Sequence, residues 1–168
     1  MLMKKTTVFT MLMLASSLLL FSCATEVEKT PAVTTEAFSL PASNGQLARY
    51  PVSGFDYKSS EIPDQPWERW AKTAQPIVKG IIDKIPDGYV LEVRGHTDAR
   101  GPEYPEGDKP GNNKISTDRA KAVYDALDKA GAKSSKMTYK GVGSTQPIPG
   151  VDTKSGQQRR VTFAIVAK

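Results

Sequence analysis

Tyr89-Val90-Leu91-Glu92-Val93-Arg94-Gly95-His96-Thr97-Asp98 is the stretch on which the fold turns. Its first six residues alternate, the period of a strand with one buried face, and Val90 or Leu91 begins that face. Pro86-Asp87-Gly88, a run of turn formers, leads into it. After Arg94 the alternation stops. A glycine, the only histidine, a threonine and a carboxylate then follow at the end of the strand, where loops held by a rigid scaffold carry function.

Upstream of this strand, Asp64 and Pro66 stand in the order that opens a helix. Trp67, Trp70, Ala74, Ile77, Ile81 and Ile85 recur at helical spacing. Both tryptophans read as core anchors, with ligand stacking as the alternative. Pro76 falls inside the pattern and predicts a kink or split. Before that helix, Phe55-Asp56-Tyr57 alternates as a short strand. Downstream, the Gly/Pro-rich segment from Gly101 to Gly111 reads as a loop. A second helix is expected to begin near Ser116, with Ala120, Val123, Leu127 and Ala130 as its apolar stripe and Gly131 as its end. Met137 to Val142 and Arg160 to Val166 read as the last two strands. The order β-α-β-α-β-β predicts an α+β domain over residues 50–168, a mixed sheet with helices packed on one face.

The beginning of the chain speaks to compartment. Lys4 and Lys5 precede an uncharged apolar run from Val8 to Phe21. A basic start and a run of about 7–15 apolar residues make a secretory signal peptide, and a membrane span would need about 20. Leu20-Phe21-Ser22-Cys23 resembles the lipobox of bacterial lipoproteins. The resemblance implies that residues 1–22 are removed and that Cys23, the only cysteine, is acylated; two or three acyl chains anchor a protein stably. Ala24 is not the aspartate that would retain a lipoprotein at the inner membrane, so the outer membrane is the expected site. Residues 23–49, rich in Thr, Ala, Ser, Glu and Pro and without sustained period, are expected to form a flexible tether. Such a tether reaches roughly 100 Å when stretched and spans about 30 Å relaxed.

Charge and composition exclude several classes. The net charge of +5 falls to about +3 without Lys4 and Lys5, and no basic run interleaves with aromatics, so no nucleic-acid partner is expected. One histidine and one cysteine supply no metal site. His96 has no nucleophile on its side of the chain, because the adjacent Thr97 would point to the opposite face; a hydrogen-bonded loop or core histidine is the expectation. Glu103, Glu106 and Asp108 fit no calcium loop and read as a solvated segment. Gly141 and Gly143 lack the lysine and helix of a phosphate loop. Neither an enzyme nor any cofactor is expected.

Four motifs in order carry a resemblance. They are Gly95-His96-Thr97-Asp98, the run Asn112-Asn113-Lys114-Ile115-Ser116-Thr117-Asp118-Arg119-Ala120, then Tyr139-Lys140-Gly141-Val142-Gly143 with Gln146-Pro147-Ile148, and finally Arg159-Arg160-Val161. Together they resemble the OmpA-like family of peptidoglycan-binding domains. Within it, Gly54-Phe55-Asp56-Tyr57 and Val142-Gly143-Ser144, with the anchor and tether, are most similar to the leptospiral surface lipoproteins that carry such a domain. The chain departs from the family pattern in three places. Asp98 and Arg119 stand 21 positions apart, several more than usual, Gln158 replaces the usual asparagine, and the glycine-arginine pair normally found just upstream is absent.

The resemblance implies a module that binds the diamino acid of the peptidoglycan stem without doing chemistry. Holding a zwitterion takes one fixed anion and one fixed cation. Asp98 is expected to accept from the ammonium, and Arg119, near the surface in the first turn of its helix, to grip the carboxylate. A structural Asp98–Arg119 ion pair is the alternative. Asn112 is read either as a ligand contact or as an orderer of the loop; Gly95, His96 and Thr97 are read as its support. The ligand is diaminopimelate or ornithine. The expected partners are peptidoglycan and, through the N-terminal lipid, the membrane. The competing function is a surface adhesin for host extracellular-matrix or serum proteins, and the sequence does not separate the two.

Overall fold

Four strands and four helices are built by residues 38–168, the part of the chain that the computed structural model describes. In chain order they are α1 (Leu40–Leu47), β1 (Val52–Ser53), α2 (Asp64–Thr73), α3 (Gln75–Lys84), β2 (Tyr89–Gly95), α4 (Gly111–Lys129), β3 (Met137–Gly141) and β4 (Arg160–Ala167). The fold is α+β. The signal peptide (1–22) and Cys23 lie outside the described residues.

The sheet order is β1-β4-β2-β3. β2 and β3 run parallel, as two strands joined by a crossover helix must, and β4 lies antiparallel between β2 and β1. The alternation read from sequence sets the faces. Leu91, Val93 and Gly95 of β2, with Val161, Phe163 and Ile165 of β4, are buried, while Glu92, Arg94, Thr162 and Ala164 between them are only half-buried. The helices cover the first of these faces. Trp70 of α2 stacks on Phe163 with centroids 5.6 Å apart, and its indole N–H donates to the Tyr50 carbonyl at 2.9 Å, so this tryptophan is a core anchor. α4 crosses so close to β2 that a Cβ on Gly95 would collide with the Ser116 carbonyl oxygen. Only a glycine ends β2 there. Among the described residues no helix is long and apolar enough to cross a membrane.

Three expectations need correction. The first strand is Val52–Ser53 rather than Phe55–Tyr57. Gly54, at φ +94°, turns the chain out of the sheet, and the carbonyls of Phe55, Asp56 and Ser59 are taken by arginine side chains in place of a ladder. The tether does not extend to residue 49, because residues 40–47 form α1. Ser39 caps that helix, Leu47 enters the core, and the Asn44 side chain exchanges two hydrogen bonds with the backbone of Ile165. Third, α4 starts at Gly111, not near Ser116. Gly111 holds φ +78°, and a side chain there would strike the backbone of Tyr104 and Pro105. Ser116 is therefore a mid-helix residue; its hydroxyl donates to the Asn113 carbonyl and accepts from the Gly143 N–H. Pro76 does divide the upstream helix, with α2 ending at Thr73 and α3 beginning at Gln75.

Candidate functional site

β2 delivers Asp98 three residues past its end, in a loop that α4 then closes. The carboxylate is buried, with only 2% of the residue exposed. Its Oδ2 accepts from Arg159 Nη1 at 2.8 Å and from Arg100 Nη2 at 2.9 Å, and its Oδ1 accepts from the Arg100 backbone N–H at 3.1 Å. Burial raises the carboxyl's proton affinity, but the bonds from Arg100 and Arg159 outweigh it and hold the group below the usual carboxylate range. Asp98 is thus a fixed anion. Sequence reasoning missed both arginines as site residues. Arg159 was visible in the Arg159-Arg160-Val161 motif, and Arg100 in the two-residue spacing at which an aspartate bonds forward to the backbone.

Arg119 does something else than expected. It is the ninth residue of α4, beyond the reach of the helix terminus, and only 1% exposed. No ion pair joins it to Asp98 among the described residues. Its guanidinium lies over the Phe55 ring at 5.3 Å and donates to three carbonyls: Nε to Ser59 at 2.7 Å, Nη1 to His96 at 2.9 Å and Nη2 to Asp56 at 2.8 Å. Burial and the neighbouring Arg159 lower its pKa to about 10, so it is still a cation at neutral pH. Arg119 clamps the Phe55–Ser59 segment to the β2 end, and Arg159 repeats the device by donating to the Phe55 carbonyl at 2.6 Å.

Thr97, Asp98, Asn112 and Arg119 converge on one cavity of about 190 Å³, together with Tyr57, Lys58, Arg100, Lys109 and Arg159. Asp98 is the only acid among these, against five cations, so the field in the cavity is positive around one carboxylate. The Thr97 hydroxyl is buried and has no hydrogen-bond partner among the described residues. Asn112 lines the cavity, and its backbone N–H donates to the Pro102 carbonyl, which orders the loop. With Asn113 N–H on the Glu103 carbonyl as well, two helix-terminal donors are already engaged and unavailable to an anion.

Gly95 and His96 do not line the cavity. His96 is buried, bonded through Nε2 to Thr162 Oγ1 at 2.9 Å. Burial, then the charges of Arg160 and Arg94, lower its pKa to about 3 and keep it neutral. Glu106 and Asp108 are exposed, but Glu103 is half-buried: its carboxylate accepts from the Ser144 N–H and hydroxyl, and so ties the 101–111 loop to the turn after β3. Among the described residues no cluster of His, Cys, Asp and Glu could hold a metal. The departure at Gln158 is a buried brace, accepting from the Ile148 N–H and donating to the Val151 and Asp152 carbonyls.

A four-stranded mixed sheet, a β-α-β crossover and a charged cavity at the strand ends define the α+β module. The sequence pattern of the OmpA family matches residues 55–161, and the chain belongs to that family. The peptidoglycan-associated lipoprotein from Burkholderia pseudomallei is 25% identical, with a TM-score of 0.55 over 76% of this chain and 98% of that one. The C-terminal domain of Helicobacter pylori MotB shares the fold, with a TM-score of 0.53 and 21% identity over 70% of this chain and 86% of that one. A curated relative, the photosystem I P700 chlorophyll a apoprotein A2 of Gloeobacter violaceus, is 28% identical over an alignment of 157 residues that covers 88% of this chain and only 16% of that protein.

Proposed function

We propose that this protein is a non-catalytic outer-membrane lipoprotein that binds the peptide stem of peptidoglycan and so ties the membrane to the wall. The observation that carries the reading is the pairing, in one cavity, of a buried carboxylate with three guanidiniums. A diamino acid in the stem presents an ammonium and a carboxylate close together. Asp98 accepts from the ammonium. The carboxylate meets the positive field of Arg119 and Arg159, whose guanidiniums keep N–H groups beyond those already bonded, with Asn112 as a neutral partner. The cavity has room for the end of one side chain rather than for a whole muropeptide, so the rest of the stem lies outside it. Family membership supports the reading, as does the likeness to the Burkholderia peptidoglycan-associated lipoprotein. The acylated Cys23 supplies the anchor, and residues between it and α1 supply the reach.

The test is co-sedimentation with purified sacculi. The wild-type protein is expected in the pellet and Asp98→Ala in the supernatant. Equal pelleting of the two would overturn the assignment of this cavity.

A further inference from the structure

Asp98 is not vacant. Two arginines hold it, and they differ in how firmly they are themselves held. Arg159 is anchored at a second point, through Nε to the Phe55 carbonyl, and its side chain is 18% exposed. The Arg100 side chain is 41% exposed, and its only hydrogen-bond partner among the described residues is Asp98 Oδ2. Its guanidinium carbon otherwise rests 4.5 Å from the centroid of the Tyr57 ring, itself a half-exposed wall of the same cavity. Solvent competes for the half-exposed Arg100 guanidinium and not for the buried carboxylate, so of the two arginines Arg100 is the more readily displaced.

We propose that Arg100 is a displaceable internal counter-ion: it occupies Asp98 when the cavity is empty and moves onto the ligand's carboxylate when an ammonium takes its place. The inference rests on the binding reading above and deepens it by assigning the residue that sets ligand selectivity. An incoming ammonium needs acceptor capacity on Asp98, and Arg100 is the donor that can leave. The freed guanidinium stays near the mouth, over Tyr57. A carboxylate next to the ammonium then restores the charge-assisted bonds that Arg100 gave up, and does so in the bidentate geometry that suits a guanidinium. A ligand without that carboxylate displaces Arg100 and leaves it unpaired. Arg100 therefore penalises ligands that bring an ammonium alone and rewards those that bring both charges.

The experiment compares two probes by titration calorimetry on the full-length protein. One is a muropeptide whose diaminopimelate keeps a free side-chain carboxylate, and the other is the same muropeptide with that carboxylate amidated. Wild type is expected to prefer the free form by about tenfold or more, the scale of a charge-assisted bidentate pair. Arg100→Gln, which shortens the side chain and removes the charge, is expected to tighten the amidated form by about two- to fivefold, the yield of removing a half-exposed competitor. The same variant is expected to weaken the free form, so that the preference largely disappears. Arg100→Lys is expected to keep part of the preference. If Arg100→Gln leaves both affinities unchanged, or weakens both by the same factor, the counter-ion claim is overturned while the site assignment stands, provided that Asp98→Ala abolishes binding. If wild type binds neither probe, both claims fall.

Discussion

Arg159, and not Arg119, makes the ion pair with Asp98: Nη1 lies 2.8 Å from Oδ2, while Arg119 turns its three bonded donors onto backbone carbonyls. The two arginines divide the labour. Arg159 links the segment after β1 to the carboxylate at the end of β2. Arg119 pins that segment from the helix side and adds its charge to the cavity without an acid in contact. A buried cation compensated by carbonyls is costly to disturb, because removal of the guanidinium leaves several acceptors without donors.

Arg119→Ala should therefore act on stability as well as on binding. Its loss is expected to cost about 3 kcal/mol or more, since three hydrogen bonds to a charged group go at once. Arg119→Lys keeps the charge but cannot reach three carbonyls from one nitrogen, and is expected to cost about 2 kcal/mol, roughly one for each of two carbonyls left without a donor. Urea denaturation of both variants checks this. A wild-type midpoint for Arg119→Ala would mean that the clamp contributes nothing.

Truncation should separate the tether from the fold. A chain beginning at Glu36 is expected to melt like the full-length protein. A chain beginning at Arg49 loses Leu47 from the core and the Asn44 bonds to Ile165, and is expected to be less stable by about 3–5 kcal/mol. Thermal melts of the two decide it. Equal melting temperatures would show that α1 is dispensable.

Acid should weaken the domain through His96. Its folded pKa is depressed from 6.5 to about 3, so between those values the unfolded chain binds more protons than the folded one. The His96 contribution is therefore fully present above about pH 6.5 and is lost as pH falls towards 3, at up to about 1.4 kcal/mol per unit. Asp98, whose pKa is also lowered, adds a loss only at the acid end, below the usual carboxylate range. Denaturant titrations from pH 7 to pH 4 should show the slope, and His96→Gln should flatten it. A slope unchanged in the variant would assign the acid sensitivity to other groups.

Cys23→Ser should abolish acylation and leave the 1–22 segment uncleaved. Labelling of cells with a fatty acid reads this directly. Equal label on wild type and variant would remove the anchor from the account.

Much of this was legible in the sequence where the signal is local. β2 and β4 follow from period-2 runs, β3 was read at Met137 to Val142 without one, and the stripe Ala120, Val123, Leu127 fixes the buried side of α4. α1 was not legible, because Leu40-Pro41-Ala42-Ser43-Asn44-Gly45-Gln46-Leu47 has two leucines and a mid-helix glycine, and what holds it is a contact with β4 far along the chain. The start of α4 was hidden by a Gly/Pro-rich segment whose last glycine is itself the first helical residue. Asp98 was legible through the Gly95-His96-Thr97-Asp98 motif and the family resemblance that it carries. Which guanidinium reaches it was not, since Arg100, Arg119 and Arg159 differ in long-range placement and not in chemistry.

The central claim is that Asp98 is the ammonium seat of a peptidoglycan-binding cavity. Calorimetric titration of the full-length protein with a muropeptide bearing free diaminopimelate measures it most directly. The account predicts saturable one-to-one binding by wild type and a loss of about 30-fold or more in Asp98→Ala, the cost of removing one partner from a desolvated charge pair. Unchanged affinity in a folded Asp98→Ala protein would contradict it.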